Sequence, residues 1–551
     1  MLALIAAIPI FVTIILTVGF NVAAKKALPI AWAICAVIAL GYWEVDATNI
    51  IAYTLAGFLN SIDTFVIIFG AILLMNMLNE AGAMRRIEGM FNGITEDARI
   101  QMIIVGFAFG ALVEGAAGFG TPAAICAPLL IGLGAPPMAA AISCLIFNSS
   151  PVSFGAAGTP TNAAADVIKD ELPAIGIMDL DLFKQDLSFV TGVGLAVGAF
   201  IIIFVVVVLI CKLYGRDKSL SGAFSEALPT LPFCLFTALS FSVPYLIFAK
   251  FIGPELTSLV AGAVCIFATI GAAKSGFLMP SEVWRFPGTE IKHDAKGTEE
   301  VQTMSLLKAW TPYLLVATWL VVTRIPQLGI KPIIQSFTTP PITDILGVAG
   351  ASFSMKWLNN PGLFPFVLVV FIGFLIYGLK GDQIQTTISK SAKQVSGAFI
   401  ALIFGFAMVY LFRYSDVNAM GFDSMLVTMA KGMADLAGAH YFYVAPIIGT
   451  IGAFMFGSNT VSNIMFAPLQ FTTAGILDIP HIIIVALQNQ GGAIGNMICI
   501  NNIVAVCATT GIVGAEGKLI KSTFIPWLIF YIICVVVMSV IWSLGIIPGV
   551  S

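Results

Sequence analysis

Apolar residues run through this chain in long stretches, and polar residues gather into short breaks between and inside them. Windows of about 20 residues that are almost free of charge recur, as in Leu187–Lys212 and Thr523–Ile547. Such windows are typical of transmembrane helices. Of the 551 residues, 59% are hydrophobic and 10% are charged, whereas soluble proteins average about 25% charged residues. The pattern therefore predicts an all-α polytopic membrane protein.

The apolar stretches predict about twelve spanning segments and two re-entrant hairpins. The spans are predicted at residues 2–20, 28–43, 62–80, 137–168, 187–212, 226–250, 254–274, 306–323, 363–380, 394–412, 480–515 and 523–548. The hairpins are predicted near 101–135 and 441–475, and the spans 137–168 and 480–515 are expected to be broken. With the N-terminus outside, most of the 26 Lys and Arg residues fall on the cytoplasmic side, which predicts both termini outside.

This topology predicts two inverted repeats, because one hairpin enters from the cytoplasm and the other from outside. The predicted division is a first repeat at 1–225, connector helices and a cytoplasmic loop at 226–305, and a second repeat at 306–551. The matched positions are Ala127-Pro128-Leu129 with Ala467-Pro468-Leu469, Asn148 with Asn489, Gly155 with Gly495, and Asn162 with Asn502. Paired interrupted segments in inverted halves indicate the binding site of an alternating-access transporter.

The tip of the first hairpin reads EGAAGFGTP, from Glu114 to Pro122. Gly115, Gly118 and Gly120 permit tight turns and close approach to a ligand. Thr121 can cap the following helix, whose N–H groups suit a carboxylate. An acid is costly at membrane depth and is a functional candidate by default, so Glu114 is the predicted proton-coupling residue. The alternative is a Glu that caps backbone N–H groups or pairs with a basic residue.

Short hydrogen-bonding side chains crowd the tip of the second hairpin, Gly457–Asn463, and both broken spans carry neutral amides and hydroxyls. These groups can hold a carboxylate and a hydroxyl, or donate oxygens to a small cation. The alternative is tight helix packing, which uses the same residue types. The predicted substrate-binding residues are Gly120, Thr121, Ser153, Thr159, Asn162, Ser458, Asn459, Thr460, Gln488, Asn489, Gly492 and Asn502.

Arg413 directly follows an apolar span on the predicted outer side. A guanidinium binds a carboxylate through two hydrogen bonds, so Arg413 is a predicted anion contact. The alternative is an interfacial Arg whose head group reaches water.

Cysteine spacing, net charge and catalytic motifs indicate which classes of protein this chain does not resemble. The nine Cys lie in apolar spans without CxxC spacing or clustered His, which predicts no metal site and no disulfide framework. A net charge of −3 argues against a nucleic-acid partner. No HExxH or GxSxG motif supports an intramembrane enzyme.

Three segments resemble the bacterial L-lactate permease family: Glu114–Pro122 (EGAAGFGTP), Ser153–Asn162 (SFGAAGTPTN) and Val485–Ile500 (VALQNQGGAIGNMICI). The resemblance covers essentially the whole chain. It implies a proton-coupled symporter of L-lactate, and often of D-lactate and glycolate, in the cytoplasmic membrane.

A more distant resemblance, to the ion transporter superfamily, implies paired hairpins around the substrate, an elevator movement and a homodimer. In that group Ser458, Asn459 and Thr460 match the pattern of a hairpin tip. The first tip departs from the pattern, since Gly120-Thr121-Pro122 replaces Ser-Asn-Thr and a Glu is present. This departure favours protons over sodium as the coupling ion without excluding sodium.

The sequence therefore predicts H⁺-coupled symport of 2-hydroxymonocarboxylates, with no cofactor. Moving an anion inward against the membrane potential costs about 2.3 kcal/mol per charge per 100 mV, and a co-transported proton removes that cost. The alternatives are a sodium-coupled carboxylate symporter of the same architecture and a passive anion channel.

Overall fold

The computed structural model describes residues 1–20, 22–91, 93–118, 121–287, 304–324, 328–360 and 362–545. Before the long 288–303 gap, the helices are Leu2–Ile14, Ala24–Gly41, Ala47–Glu80, Ala83–Glu88, Ala98–Ala117, Thr121–Gly132, Pro137–Phe147, Gly155–Asp166, Leu180–Tyr214, Leu220–Ala227, Leu231–Phe251 and Pro254–Ser275. After it, the helices are Leu306–Arg324, Ile330–Ser336, Leu368–Tyr377, Gly381–Tyr414, Met425–Ala437, Tyr441–Phe456, Asn459–Ile476, His481–Gly495, Ile500–Thr510 and Glu516–Leu544.

The helices of the described residues confirm an all-helical membrane protein. When adjoining helices such as His481–Gly495 and Ile500–Thr510 are joined, ten stretches of the described residues are long and apolar enough to cross a membrane. The number is eleven if the bent pair formed by Pro137–Phe147 and Val152–Asp166 counts as one span. The two members of that pair meet at 64°, so this predicted broken span is broken in the structure. Shorter apolar helices accompany them, including Leu363–Tyr377. The count of twelve spans stays a prediction.

The first predicted hairpin, residues 98–132, is an antiparallel pair of helices. Its first arm passes through a π-helical stretch, Met102–Phe109, before the tip. Gly106 faces the side chain of Leu130, while Gly110, one turn nearer the tip, faces Cys126. The residue number increases from 106 to 110 on the first arm while that of the facing residue decreases from 130 to 126 on the second. The two arms are therefore antiparallel.

The second predicted hairpin, residues 441–476, has the same form. The Gln470 amide donates to the backbone oxygen of Ala445 at 3.0 Å. Nearer the tip, the Ser462 hydroxyl donates to the backbone oxygen of Gly449 at 2.8 Å. These contacts also run antiparallel, so each half of the chain contains one helical hairpin.

The two hairpins lie in two different apolar cores. Phe107 of the first hairpin belongs to one core and Phe466 of the second to the other. Long helices pass through both: in Leu180–Tyr214, Val190 packs in the second core and Leu195 in the first. The cores are therefore stacked along the helix axes, and the breaks of the chain fall where they adjoin.

Backbone-to-backbone packing fixes the first hairpin against helix Pro254–Ser275. A Cβ on Gly115 would overlap the backbone of Leu259, and a Cβ on Gly262 would overlap the backbone of Leu112. Glycine thus lets two helices touch at a distance that side chains would prevent. The tip of the hairpin is held in place by this contact.

Candidate functional site

The tips of the two hairpins meet at one small cavity. Its lining consists of Glu114, Gly118, Val152, Gly155, Ala156, Pro160, Gly457, Ser458, Asn459, Thr460 and Asn496. The cavity volume is about 20 Å³, which is room for about one water molecule. Residues of both halves face each other there, and a larger ligand requires the tips to separate.

Among the described residues that line this cavity, Glu114 is the one with an acidic side chain, and it is only 2% exposed. The side-chain amide of Asn148, in the break of the first broken segment, hydrogen-bonds its carboxyl group. A Cβ on Gly155 would overlap Oε1 of Glu114, so only glycine allows the broken segment to come this close. Oε2 has no hydrogen-bond partner among the described residues. A buried carboxyl group without a cation beside it can take up and release a proton without breaking an ion pair.

Asn459 lines the cavity from the second tip, at the start of the outgoing arm of that hairpin. Its Nδ2 donates to Oδ1 of Asn489 at 2.9 Å, and its own Oδ1 has no partner within the described ranges. A Cβ on Gly492 would overlap that oxygen, which explains the glycine at this position. Each tip thus presents one buried side-chain oxygen that has no donor among the described residues, Oε2 of Glu114 and Oδ1 of Asn459. Each of these side chains also packs against a glycine, Glu114 against Gly155 and Asn459 against Gly492.

Asn489 connects the second tip to the first broken segment. Its Oδ1 also accepts a hydrogen bond from Nδ2 of Asn463 at 2.9 Å, and its Nδ2 donates to Oγ1 of Thr161 at 2.8 Å. Its backbone oxygen accepts the Ser153 hydroxyl at 3.2 Å. In this arrangement the amide of Asn489 is fully used inside the protein, so it positions the residues that line the cavity.

Gln488 is also satisfied internally. Its Nε2 donates to Oγ of Ser462 at 3.0 Å, and its Oε1 accepts from Nε2 of Gln470 at 3.0 Å. Because Ser462 and Gln470 belong to the outgoing arm of the second hairpin, Gln488 joins that arm to helix His481–Gly495. Its contacts are those of a helix-packing amide.

The first broken segment contains a left-handed turn beside the cavity. Ala156, Ala157 and Gly158 have φ values of 43°, 55° and 73°. For residues other than glycine this conformation costs about 1–2 kcal/mol each. The Tyr245 hydroxyl donates a hydrogen bond of 2.7 Å to the backbone oxygen of Ser150, in the turn that precedes these residues. Strain that surrounding structure maintains is characteristic of functional sites.

A second, larger cavity of about 800 Å³, called the vestibule here, lies between the first broken segment and the helices Ala47–Glu80 and Gly381–Tyr414. Its lining includes Asn60, Asp63, Thr64, Asn162, Asp166, Lys169, Met178, Lys184, Asn360, Tyr410 and Arg413. Asn162 is 4% exposed and its Oδ1 has no partner among the described residues. Asp166, one turn further on, pairs with Lys184 at 2.6 Å.

Arg413 lies in the wall of the vestibule, away from the hairpin cavity. Its Nη1 is 3.2 Å from Oδ2 of Asp170 and its Nε is 3.0 Å from Oε1 of Glu171. The guanidinium is stacked 5.1 Å from the ring of Tyr414. Arg413 therefore already has two carboxylate partners of the protein itself.

The structure brings together part of the predicted set. The cavity lining contains Glu114, Ser458, Asn459 and Thr460. Residues Ser153, Gln488, Asn489 and Gly492 surround that lining through the contacts above. Thr159 donates to the backbone oxygen of Ala156, and Asn502 donates to Oδ1 of Asn496 at 3.3 Å. Thr121 begins helix Thr121–Gly132, and Gly120 lies outside the described residues.

Three contributors lie outside the predicted substrate-binding set, although Asn463 and Asn496 belong to the polar clusters seen in the sequence. Asn496 lines the cavity from the interruption between helices His481–Gly495 and Ile500–Thr510. Asn463 lies four residues after Asn459, hence on the same helix face, and that spacing could have indicated it. Thr191 accepts from Nδ2 of Asn489 at 3.4 Å, but a single hydroxyl within an apolar span gives no signal.

Comparison with known proteins places the chain in a family. The sequence model of the L-lactate permease family matches residues 2–545. A relative from Haemophilus influenzae is 32% identical over 511 residues, which is 89% of each chain. The L-lactate permease of Escherichia coli K12 is 28% identical and the match covers 96% of this chain and 93% of that protein. Glycolate permease GlcA of the same organism is 28% identical, with 84% and 82% covered.

Among solved structures, the YdaH transporter of Alcanivorax borkumensis has 13% sequence identity and a TM-score of 0.44, with 89% of this chain and 88% of that chain covered. The family assignment depends on the sequence matches alone, which extend from the first helix to the last. The relatives are permeases, so the chain is a multi-pass membrane transporter and not an enzyme. It belongs to the L-lactate permease family.

Proposed function

We propose that this chain is a secondary active transporter that couples a proton to L-lactate and related 2-hydroxymonocarboxylates, D-lactate and glycolate among them. It works in the cytoplasmic membrane, with both termini outside. Glu114 carries the proton, and the two hairpin tips hold the substrate between them. The hairpins enter the membrane from opposite sides, and the tips and broken segments move together past Ala47–Glu80 and Gly381–Tyr414.

The observation that carries the proposal is the meeting of the two tips at one cavity. Glu114 Oε2 and Asn459 Oδ1 both lie in side chains that line it, and both are without a donor in the described part of the chain. Lactate carries a hydroxyl group that can donate to such an oxygen. The cavity of about 20 Å³ is too small for lactate, so the arrangement described here is a closed one and substrate enters only when the tips separate.

The names of the relatives support the substrate class. The E. coli proteins are called L-lactate permease and glycolate permease, and both names denote a small 2-hydroxy acid. Coupling to a proton is supported by Glu114, the one buried acid among the described residues that line the cavity.

Uptake by proteoliposomes tests the proposal. Labelled L-lactate is offered with an acid-outside pH gradient and no Na⁺, or with an inward Na⁺ gradient at equal pH. Accumulation in the first condition only is the expected result. Accumulation driven by Na⁺ alone would replace the proton with sodium, the second candidate for coupling. Downhill flux that neither gradient drives uphill, without saturable counterflow, would make the protein a passive channel.

A further inference from the structure

Three consecutive residues after the first broken segment hold it against a pair of long helices. These helices, Ala47–Glu80 and Gly381–Tyr414, form the scaffold pair, and they touch through their backbones where Gly57 meets Ala407. The broken segment ends at Asp166, and residues 169–171 follow within one turn.

Each of residues 169–171 makes a polar contact with the scaffold pair. Lys169 Nζ lies 3.5 Å from Oδ1 of Asn60 on the first helix of the scaffold pair. Asp170 and Glu171 both bind the guanidinium of Arg413, which lies at the end of the second helix of that pair. The Arg413 side chain is 10% exposed. A nearly buried guanidinium needs a carboxylate beside it, because an unpaired charge in such a place is strongly destabilising.

The contacts of Arg413 with residues 170 and 171 lie at the wall of the vestibule. The vestibule separates the scaffold pair from the first broken segment over a volume of about 800 Å³, and Arg413 bridges to the segment at its wall. Ion pairs can be exchanged for water when two surfaces part, whereas a tightly packed apolar contact resists parting. A charged bridge beside a polar cavity therefore suits two bodies that separate and meet again.

We propose that Arg413, Asp170 and Glu171 form a latch that holds the site against the scaffold pair in the arrangement described here, and that the latch opens during each transport cycle. The inference rests on the proposed function, since only a carrier that alternates needs such a release. In this role Arg413 binds Asp170 and Glu171 of the protein itself and does not bind the anionic substrate.

The latch can be tested by pulsed electron resonance on spin-labelled protein, which needs no substrate. One label is attached through Val417→Cys, which follows the end of helix Gly381–Tyr414. The other is attached through Met178→Cys, which follows residues 169–171 in the chain. Both positions are exposed, at 51% and 80%, while all nine native cysteines are buried. The distance between the labels that matches this structure defines the latched population.

Two sets of variants break the latch from opposite sides. Arg413→Gln removes the cation, and the double variant Asp170→Asn with Glu171→Gln removes both anions while leaving Arg413. Each should reduce the ratio of the latched population to all other populations in the distance distribution by about tenfold or more. Lys431→Gln is the matched control, because the pair of Lys431 with Asp423 is more than half exposed on both sides and its loss should leave the distances unchanged.

The substrate dependence of exchange separates the two roles of Arg413. If Arg413 is a latch residue, both sets of variants shift the distances and leave the KM for lactate near its original value. If Arg413 binds the substrate, Arg413→Gln raises KM, the acid-free double variant lowers it, and the distances stay unchanged; that result overturns the latch. Thermal unfolding of each purified variant shows whether it has folded. Should the protein fail to transport lactate at all, the distance measurement still decides the latch.

Discussion

Asn459 Nδ2 donates a hydrogen bond of 2.9 Å to Asn489 Oδ1, and this bond ties the second hairpin tip to the helix behind it. On the first tip, Glu114 lies near the end of the incoming arm, and its partner is the amide of Asn148. The two tips therefore differ in one chemical respect: one presents a neutral amide and the other an ionisable acid. This difference supports the proposal that the coupling proton binds in the first half of the chain.

Replacing Glu114 by Gln should abolish uphill uptake while sparing exchange. The amide nearly preserves the shape of the carboxyl group and can still bond with Asn148, but it cannot carry a proton across. Labelled lactate should exchange across proteoliposomes containing Glu114→Gln, yet it should not accumulate under a pH gradient. Glu80→Gln, an exposed acid at the end of Ala47–Glu80, is the control. Continued accumulation by Glu114→Gln would remove Glu114 from the coupling mechanism.

Replacing Asn489 by Ala should weaken the site through its neighbours. The amides of Asn459 and Asn463 would lose their shared acceptor at a cost of about 0.5–1.5 kcal/mol for each lost hydrogen bond. They would keep the backbone oxygens of residue 489 and of Pro160 as their remaining acceptors. We expect a lower unfolding temperature together with a higher KM for lactate exchange, because Asn459 lines the cavity. Asn79→Ala, at an exposed position, should change neither. An unaltered KM in a folded Asn489→Ala protein would contradict the positioning role.

Much of the site was readable from the sequence because a bilayer constrains polar groups so strongly. Small and polar residues at the middle of an apolar stretch can persist only where protein covers the break. That rule located the tips at Glu114 and at Ser458–Thr460, and all four side chains line one cavity. It could not distinguish an amide whose oxygen is left without a partner in the described structure from one whose polar atoms all bond within the protein, since Asn459 and Asn489 look alike in sequence.

Partners that are far apart in the chain escaped prediction for a related reason. Arg413 meets Asp170 across 243 residues, and no local pattern links them. Gly115 is a similar case: its place in a glycine-rich tip suggested a turn or ligand contact, but it lies inside helix Ala98–Ala117 and faces the backbone of Leu259. Gly118, by contrast, has a φ of 60° and does make the turn.

Adding one methyl group at Gly115 should dislodge the first hairpin. The Cβ of Gly115→Ala would overlap the backbone of Leu259, which cannot rotate away as a side chain can. Such overpacking costs about 1–3 kcal/mol, and it would also move Glu114, the preceding residue. Thermal unfolding and uptake should both suffer. Gly132→Ala, at the end of the same hairpin, meets nothing within 4 Å and should be tolerated. Equal behaviour of the two variants would show that the close contact is not needed.

The latched arrangement should be favoured by acid through Glu171. Burial raises the pKa of Glu171 to about 7, the neighbouring Asp170 raises it as well, and Arg413 lowers it. One guanidinium faces two carboxylates, with Tyr414 beside them, so the second negative charge is in excess. Because a glutamate in water has a pKa of about 4.3, the proton binds more tightly to Glu171 when the latch is closed.

The sign of the pH effect follows from that difference. The contribution of Glu171 to the latched state is fully present below the pKa of the solvated carboxyl, and it is lost as pH rises through about 7. The latched distance between labels at 178 and 417 should therefore lose population from about pH 5 to about pH 8. Glu171→Gln alone mimics the protonated acid and leaves Asp170 as the counter-ion, so it should stay latched and flatten the profile. A latched population that instead grows with pH would mean that ionised Glu171 holds the latch closed, contrary to the cost of burying its charge.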